Sequence, residues 1–304
     1  MGKKLINSPR RWSHYNSSLI KRGSLTLWFD EQSIGAWHQA GKTGKAGRPY
    51  QYSELAICCG LTIKNIYHLP LRAAQGFIQS LIQLLKLPIQ APNYSTLCRR
   101  QKGLKVRLQA LPKKDVNLVV DSTGLKVYGE GEWKVKQHGY SKRRTWRKVH
   151  IAVDPASLEI HACLLSSNDV SDGEALAPLL SQIEGHISLV AADGAYDQGK
   201  CYRILKERGT KAIIPPRPNA KIQQHGNHKK PPLVRDENLR AIRKVGRKRW
   251  KIEVGYHKRS LAETSMYRFK QLFTDKLCAR LFENQATEAF SKCQILNRMI
   301  QVGL

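Results

Sequence analysis

Apolar residues recur every three or four positions in the first third of the chain, a spacing typical of helices that bury one side. It predicts one helix over residues 52–67 and a second over residues 71–87, where two prolines then stop the pattern. Residues 93–102 begin with capping residues and end with cations, which predicts a third, shorter helix. We therefore expect an all-α domain over residues 51–112, preceded by a basic arm and linker over residues 1–50.

From residue 116 onward the apolar residues form short continuous runs, the pattern of strands that are buried on both faces. Strands are predicted over residues 117–121, 146–154, 158–166, 187–193 and 211–214, and helices over residues 172–183 and 200–208. This order predicts an α/β domain with a mixed sheet over residues 113–275. Within it, residues 217–235 are rich in Pro, Lys, Gln and His and predict a mobile loop. A C-terminal helical tail is expected over residues 276–304.

Two of the predicted strands end in a carboxylate. Asp121 follows one apolar run and precedes Ser-Thr-Gly, and Asp193 follows another and precedes a glycine. An Asp at the end of a buried strand usually has a polar role, because leaving it unpaired beside a core costs free energy. Capping of a turn is the structural alternative for each.

A helix predicted over residues 250–270 carries a third acidic candidate. Tyr256, Arg259, Glu263 and Lys270 lie at offsets 0, 3, 7 and 14, so at about 100° per residue they share a stripe about 60° wide. A phenol, a guanidinium, a carboxylate and an ammonium in one row are not a core-packing pattern. They suit a site that holds a metal-bound anion, and a solvated face with ordinary ion pairs is the alternative.

The formal net charge of +29 is distributed unevenly. Residues 1–116 carry 19 Lys and Arg against 4 Asp and Glu, residues 216–304 carry 20 against 7, and the residues between them carry 13 against 12. Two basic flanks around a nearly neutral centre indicate an extended polyanion as partner, with double-stranded DNA as the leading candidate. No apolar run approaches the roughly 20 residues that span a bilayer, so no membrane partner is expected.

The seven cysteines indicate a reducing compartment. Their number is odd and no Cys-x-x-Cys spacing occurs, which argues against a disulfide framework and a zinc knuckle. Gly41-Lys-Thr is similar to the end of a phosphate-binding loop, but the upstream glycine and the preceding buried strand are missing. We therefore expect an intracellular protein that does not use ATP.

The third predicted helix is a candidate reader of DNA. A short helix with a polar, cationic face that follows two packed helices fits a helix-turn-helix-like unit in the major groove. Its candidate contacts are Ser95, Thr96, Arg99 and Arg100. A plain helical domain with solvated cations is the alternative.

A second cluster of candidate DNA contacts precedes the second strand. Residues 134–148 contain seven Lys and Arg and no acid, and aromatic residues are interleaved with them. Such a mixture suits phosphate contacts combined with stacking on bases or sugars. The selected residues are Lys142, Arg143, Arg144, Trp146 and Arg147.

The order of the three carboxylates matches a ribonuclease H-like layout, in which the first and fourth strands are neighbours and a later helix crosses them. Tyr256-x-x-Arg259-x-x-x-Glu263 followed by Lys270 resembles the Y-x2-R-x3-E-x6-K signature of bacterial insertion-sequence transposases of the DDE class. The segments around Asp121 and Asp193 resemble the first and second acidic motifs of these enzymes. Two further stretches, residues 129–134 and 138–148, are similar to the insertion-sequence-five family in particular, and the resemblance covers roughly residues 50–275.

This resemblance implies a DNA transposase with a ribonuclease H-like core that binds terminal inverted repeats, cleaves the element ends and joins the 3′-hydroxyls to target DNA. Asp121, Asp193 and Glu263 would hold two Mg²⁺ ions, for which Mn²⁺ would substitute. Arg259 and Lys270 would contact phosphates near the scissile bond, and Tyr256 would help to place them. The resemblance also implies a homodimer on paired ends and a cytoplasmic location at the bacterial nucleoid.

Two other functions fit the same fold. A catalytically silent repressor derived from a transposase would bind DNA without cutting it, and the intact set of carboxylates counts against this reading. A structure-specific DNA nuclease would cut branched or nicked DNA but would never join ends, so one joining assay separates it from a transposase.

Overall fold

The computed structural model describes residues 12–24, 31–39, 50–102, 104, 108, 115–127, 145–224 and 231–302. The protein divides into two compact units, one drawn from the residues up to 105 together with those from 297 onward, and one from residues 106–296. Within the described ranges, no helix is both long enough and apolar enough to cross a lipid bilayer.

The first unit is helical. Its helices are α1 (Trp12–Lys21), α2 (Glu31–Gly35), α3 (Glu54–Ile66), α4 (Leu71–Leu84) and α5 (Tyr94–Gln101). The three helices predicted from the apolar spacing are α3, α4 and α5, and two of them begin as their capping residues indicate. The Ser53 hydroxyl accepts the N–H of Ala56, and the Asn93 side chain accepts the N–H of Ser95.

The helical unit begins earlier than the predicted boundary at residue 51. Trp37 is fully buried, and its indole N–H donates to the carbonyl of Gln90 at 2.7 Å. The N–H of Ser53 in turn donates to the carbonyl of Trp37. Residues 31–39 are therefore part of the helical unit, and the domain boundary predicted at residue 51 needs correction there. The stretch is too short to show a helical period.

The second unit is built on a mixed sheet. Its strands are β1 (Asp115–Val127), β2 (Thr145–Val153), β3 (Ile160–Ser167), β4 (His186–Ala191), β5 (Lys211–Ile213) and β6 (Lys276–Leu277). The order is β3-β2-β1-β4-β5, with β6 also paired to β1. The first three strands form an antiparallel meander, and β4 and β5 continue the sheet in parallel. The predicted ribonuclease H-like layout is confirmed, with β1 and β4 as neighbours.

Helices pack against both faces of this sheet. The helices that follow β3 in the chain are α6 (Asp172–Leu180), α7 (Gly199–Glu207), α8 (Val234–Val245), α9 (Arg247–Glu253), α10 (Ser260–Phe273) and α11 (Phe282–Gln301). On one face, Leu176 of α6 and Leu205 of α7 pack with Val120 of β1 in a common core. Against the other face, α10 packs on β1 and β2 and buries Phe269 and Phe273. Each such side chain contributes about 1.5–3 kcal/mol when it leaves water.

Residues 276–304 are not a separate tail, contrary to the predicted domain division. Strand β6 pairs with the end of β1, and Glu288 of α11 accepts the backbone N–H of Cys278 at 3.0 Å and that of Ala279 at 2.9 Å. The first part of the tail is therefore built into the sheet unit. Because β6 has only two residues and pairs with a strand far away in the sequence, no local sequence pattern predicts it.

The described parts of residues 217–235 are held by two buried carboxylates. Asp197 accepts the N–H of Arg217 at 2.9 Å, and Asp236 accepts the N–H of Gln224 at 2.7 Å. A carboxylate that accepts backbone N–H groups fixes the path of the chain. These described residues therefore do not form the mobile loop that composition alone predicts.

Candidate active site

Asp121 and Asp193 lie at the same edge of the sheet. In the parallel pairing of β1 with β4, the last aligned pair is Val119 and Ala191, and each Asp follows its strand residue by two positions. The prediction that Asp121 lies at the tip of its strand is wrong, because β1 continues to Val127 along β2. Asp121 lies beyond the point where β4 ends, and its carboxylate is partly exposed.

The chain turns immediately after Asp193. A 3₁₀ turn, Gly194–Tyr196, follows it, and the Asp193 side chain accepts the N–H of Ala195 at 2.9 Å. The turn-capping alternative for this residue is therefore realised, and it uses one carboxylate oxygen. The second oxygen has no hydrogen bond to the part of the chain that the structure describes.

Arg259 joins Asp121 to Glu263. One guanidinium nitrogen lies 3.5 Å from Oδ2 of Asp121, and the other pairs with the carboxylate of Glu263. The side chains of Arg259 and Asp121 are 19% and 17% exposed, whereas that of Glu263 is 53% exposed. Asp121 on β1 and Glu263 on α10, which are 142 positions apart along the chain, thus face one cation.

The single helix predicted over residues 250–270 is wrong, because the chain breaks at Gly255. This glycine has a φ of +70°, and α9 ends before it at Glu253. A 3₁₀ turn, Tyr256–Arg259, then leads into α10. The stripe survives the break because three residues make one turn of a 3₁₀ helix, so Tyr256 and Arg259 still share a side.

The remaining residues of the predicted stripe lie along the same element. The Arg259 guanidinium is 5.9 Å from the centre of the Tyr256 ring, which is buried. Lys270 is half-buried on α10, about two turns beyond Glu263. The phenol, guanidinium, carboxylate and ammonium therefore line one side of the segment from the 3₁₀ turn to the end of α10.

Electrostatics tie the three carboxylates together. Burial raises the pKa of Asp121, and the neighbouring charges of Asp193 and Glu263 raise it further. The N–H of Ser122 and the guanidinium of Arg259 oppose this rise. A bound cation would favour the charged form of Asp121 and relieve the repulsion between these carboxylates.

The donor set fits a divalent metal in its chemistry. Carboxylate oxygens are the ligands that Mg²⁺ prefers, and Asp121 and Glu263 already face a common positive charge. Among the described residues, no three His, Cys, Asp or Glu side chains lie close enough together to hold a metal ion. The guanidinium of Arg259 contacts the carboxylates of both Asp121 and Glu263.

The candidate DNA contacts of α5 differ in their availability. Arg99 is exposed. Arg100 instead donates to the carbonyl of Tyr52 at 2.8 Å and lies 3.9 Å above the ring of Tyr50. Arg100 therefore supports the helical unit itself. Ser95 and Thr96 are half-buried at the start of the helix.

The candidates near β2 are also partly engaged. Arg147 donates to Gln285 at 3.0 Å and lies over the ring of Phe282, and Lys126 lies 5.6 Å from the ring of Trp146. Lys142, Arg143 and Arg144 lie outside the described residues.

A polar cluster on the opposite face of β1 was not predicted. Ser122, His150 and Asp172 meet there, and Ser122 is the residue next to Asp121. An acidic residue in the first turn of a helix is ordinarily a partner of the helix dipole, so the sequence offered no reason to single out Asp172.

The chain is similar to known proteins in both structure and sequence. One solved structure, a piggyBac transposase synaptic complex with hairpin DNA determined by cryo-EM, aligns with 93% of this chain and 74% of its own at 10% identity and a TM-score of 0.40. A score that low does not establish a shared fold, so this likeness carries no weight in assigning a function.

The sequence match to a protein family is decisive. Two family models, both described as a transposase DDE domain, match residues 20–130 and residues 112–298. The second match alone covers more than half of the chain and contains Asp121, Asp193 and Glu263. This confirms the resemblance found in the motifs, and the chain belongs to the DDE transposase family.

Proposed function

We propose that this DDE transposase binds the terminal inverted repeats of an insertion sequence, cleaves the element ends and joins the 3′-hydroxyls to target DNA. Asp121, Asp193 and Glu263 are its metal-holding residues. Two relations between these groups support the proposal. The β1–β4 register sets Asp121 and Asp193 at one edge, and Arg259 links Asp121 to Glu263.

The chemistry of the site depends on a divalent metal, which the residues of the site would bind. DDE transposases use divalent metals. Here we assign two Mg²⁺ ions, with Mn²⁺ able to substitute, to the three carboxylates. When bound, the ions would lower the pKa of a water or 3′-hydroxyl and stabilise charge on the phosphodiester. When they are ionised, the carboxylates of Asp121, Asp193 and Glu263 accept hydrogen bonds and donate none. Such oxygens are suited to binding metal ions.

The cationic residues of the site suit the DNA backbone. Arg259 supplies a fixed, planar charge that matches the oxygens of a phosphate, and the buried ring of Tyr256 limits its motion. Lys270 adds a second charge farther along α10. Together they would position one strand so that its phosphodiester faces the carboxylates.

Recognition of the element ends is assigned to the helical unit. Its α5 carries the exposed Arg99 and follows two packed helices, as the reading helix of a helix-turn-helix-like unit does. We assign the partner as double-stranded DNA, the assembly as a homodimer on two paired ends, and the location as the cytoplasm at the nucleoid.

A cleavage and joining assay tests this function. The substrate is a labelled duplex that carries the terminal repeats of the source locus, incubated with the full chain and Mg²⁺. Asp193→Asn should abolish cleavage and leave DNA binding nearly unchanged, because the change removes one charge and almost no volume. Glu184→Gln removes an exposed charge after α6 and should behave like the wild-type protein.

Two results would count against the proposal. Cleavage without joining would indicate a nuclease, and DNA binding without any cleavage would indicate a repressor. If Asp193→Asn also loses DNA binding, the role of Asp193 is not purely catalytic.

A further inference from the structure

The residue after Asp121 connects the active site to the opposite face of the sheet. Successive strand residues point to opposite faces, so Ser122 shares a face with Val120, which packs in the core formed with α6. Ser122 is aligned with His150 on β2, and both side chains meet Asp172 at the start of α6. The sheet is thus polar on both faces at this register.

Asp172 concentrates its contacts on one oxygen. Its Oδ1 accepts the hydroxyl of Ser122 at 2.9 Å and lies 3.6 Å from Nζ of Lys148 and 3.7 Å from Nδ1 of His150. The start of α6 already has an acidic partner in Glu174, whose carboxylate accepts the backbone N–H of Ser171 at 2.9 Å and its hydroxyl at 2.7 Å. Asp172 is therefore available to act on the sheet.

Ser122 is held from two directions. Its hydroxyl donates to Asp172, while its backbone N–H donates to Oδ1 of Asp121 at 2.9 Å. A shift of the Ser122 backbone would move the N–H that fixes one oxygen of Asp121. Three consecutive groups, the Asp172 carboxylate, Ser122 and the Asp121 carboxylate, thus form one hydrogen-bonded chain that runs through β1.

We propose that Asp172 is a positioning residue that acts through Ser122 to orient the metal-holding carboxylate of Asp121. The inference rests on the proposed function and extends it to a carboxylate that does not itself touch the reacting atoms. Metal sites commonly depend on such outer groups, because a ligand that can rotate holds its ion less well.

The surroundings of Asp172 fix its own position. His150 is fully buried, and its Nε2 lies 2.9 Å from the hydroxyl of Ser166, so the ring cannot turn away from α6. Lys148 donates to the carbonyl of Val170 at 3.0 Å, which holds its ammonium beside the carboxylate. Both neighbours are themselves constrained, and Asp172 is left with one arrangement.

Tyr196 extends the same cluster to the second acidic motif. It ends the 3₁₀ turn that follows Asp193, is almost completely buried, and its hydroxyl has no hydrogen-bond partner in the described part of the chain. The pKa of this phenol is raised by burial first and then by the charges of Asp172, Asp121 and Asp193. The helix that Asp172 begins packs against the turn that follows Asp193, while Asp172 itself contacts the residue after Asp121.

The test compares Ser122→Ala with Ser122→Thr in the full chain. Alanine removes the hydroxyl, whereas threonine keeps it and suits a strand. We expect Ser122→Ala to weaken Mn²⁺ binding in the absence of DNA, measured by isothermal titration, by about 10–100-fold. The cleavage rate at saturating DNA should fall by a similar factor, the dissociation constant for DNA should stay near wild type, and threonine should restore both losses.

Asp172 is tested by a double-mutant cycle. Asp172→Ala should lower metal affinity, and the double variant with Ser122→Ala should be no worse than Asp172→Ala alone, since both changes break one chain. Ser157→Ala is the matched control. Its hydroxyl donates to Asp154 at 3.0 Å in the turn between β2 and β3, so it loses the same kind of bond away from the site.

Wild-type metal affinity in Ser122→Ala, or losses in the double variant that multiply, would overturn the positioning role. A comparable loss of metal affinity in Ser157→Ala would do the same, because the effect would then reflect general stability. If the wild-type protein neither binds Mn²⁺ nor cleaves DNA, the proposed function fails. If it does both and Ser122→Ala is normal, only this inference fails.

Discussion

Replacing Arg259 with glutamine tests whether one guanidinium balances the carboxylates of the site. Arg259 contacts Asp121 at 3.5 Å and pairs with Glu263. Glutamine keeps much of the side-chain length and removes the charge. We expect the variant to be less stable than the wild-type protein in the presence of a chelator, because Asp121 and Glu263 then repel each other and Asp193 without compensation.

The size of the effect follows from distance and exposure. Two unit charges 3.5 Å apart attract by about 5 kcal/mol at an effective dielectric constant of about 20, and desolvation of both groups offsets most of that. A hydrogen bond to a charged group contributes about 1.5–3 kcal/mol net. The half-exposed Glu263 adds less than about 1 kcal/mol. The expected loss is therefore about 2 kcal/mol, or about 4–8 °C in Tm for a unit of this size.

The assay is a thermal melt of the full chain in chelator and again in excess Mg²⁺. Magnesium would neutralise the same carboxylates, so it should recover much of the stability that Arg259→Gln loses. Arg249→Gln is the matched control, because Arg249 and Glu253 form an Arg–Glu pair with the same i, i+4 spacing but with side chains 75% and 48% exposed. That change should cost only about 0.3–0.5 kcal/mol. Equal melting of the two variants, or no added effect of Mg²⁺ on Arg259→Gln, would refute the reasoning.

Three further outcomes are expected. Arg99→Ala should reduce preference for the element ends more than bulk DNA affinity, whereas Arg100→Ala should lower the Tm, because Arg100 binds the Tyr52 carbonyl and covers Tyr50; gel-shift competition and melting separate the two. With a net charge of +29, DNA affinity should fall about 10³-fold or more between about 50 and 200 mM salt, and a flat salt titration would contradict the polycation argument. Burial lowers the pKa of His150 to about 4. The native state then binds fewer protons than the unfolded chain between about pH 4 and 6.5. The free energy of unfolding should therefore drop by about 2–3 kcal/mol as the pH falls through that window. In denaturant titrations, His150→Gln should make the free energy of unfolding less dependent on pH.

The order of strands and helices could be predicted because each carries a strong local pattern. The buried run before Asp121 and the run before Asp193 are continuous and apolar, and only a central strand of a covered sheet needs such a run. The length of β1 could not be predicted in the same way. Residues 122–127 are half polar, and they are held in the strand by pairing with β2 and β6, whose sequences lie far away.

The break before α10 could not be predicted from the composition of the segment. Residues 250–270 contain good helix formers and one glycine, which a helix normally tolerates at a cost of about 1 kcal/mol. Here Gly255 takes a positive φ and ends the helix, so that Tyr256 begins a new turn. The motif spacing still identified the right residues, because the side chains of the 3₁₀ turn and of α10 keep them on one side.

The strand carrying Asp121 couples two surfaces that sequence patterns treat separately. A motif search sees Asp121 as a ligand and Ser122 as a small turn residue, yet a strand necessarily directs them to opposite faces. Any group that fixes Ser122 from behind also limits the freedom of Asp121 in front, because the two residues share one peptide plane and one hydrogen bond. The buried cluster around Asp172 is costly to keep polar, and within the described ranges its neighbours His150 and Tyr196 each leave a buried atom without a hydrogen bond. A purely structural core would be more stable with apolar residues there, so a requirement for a fixed carboxylate at Asp121 is the physical reason for keeping the cluster.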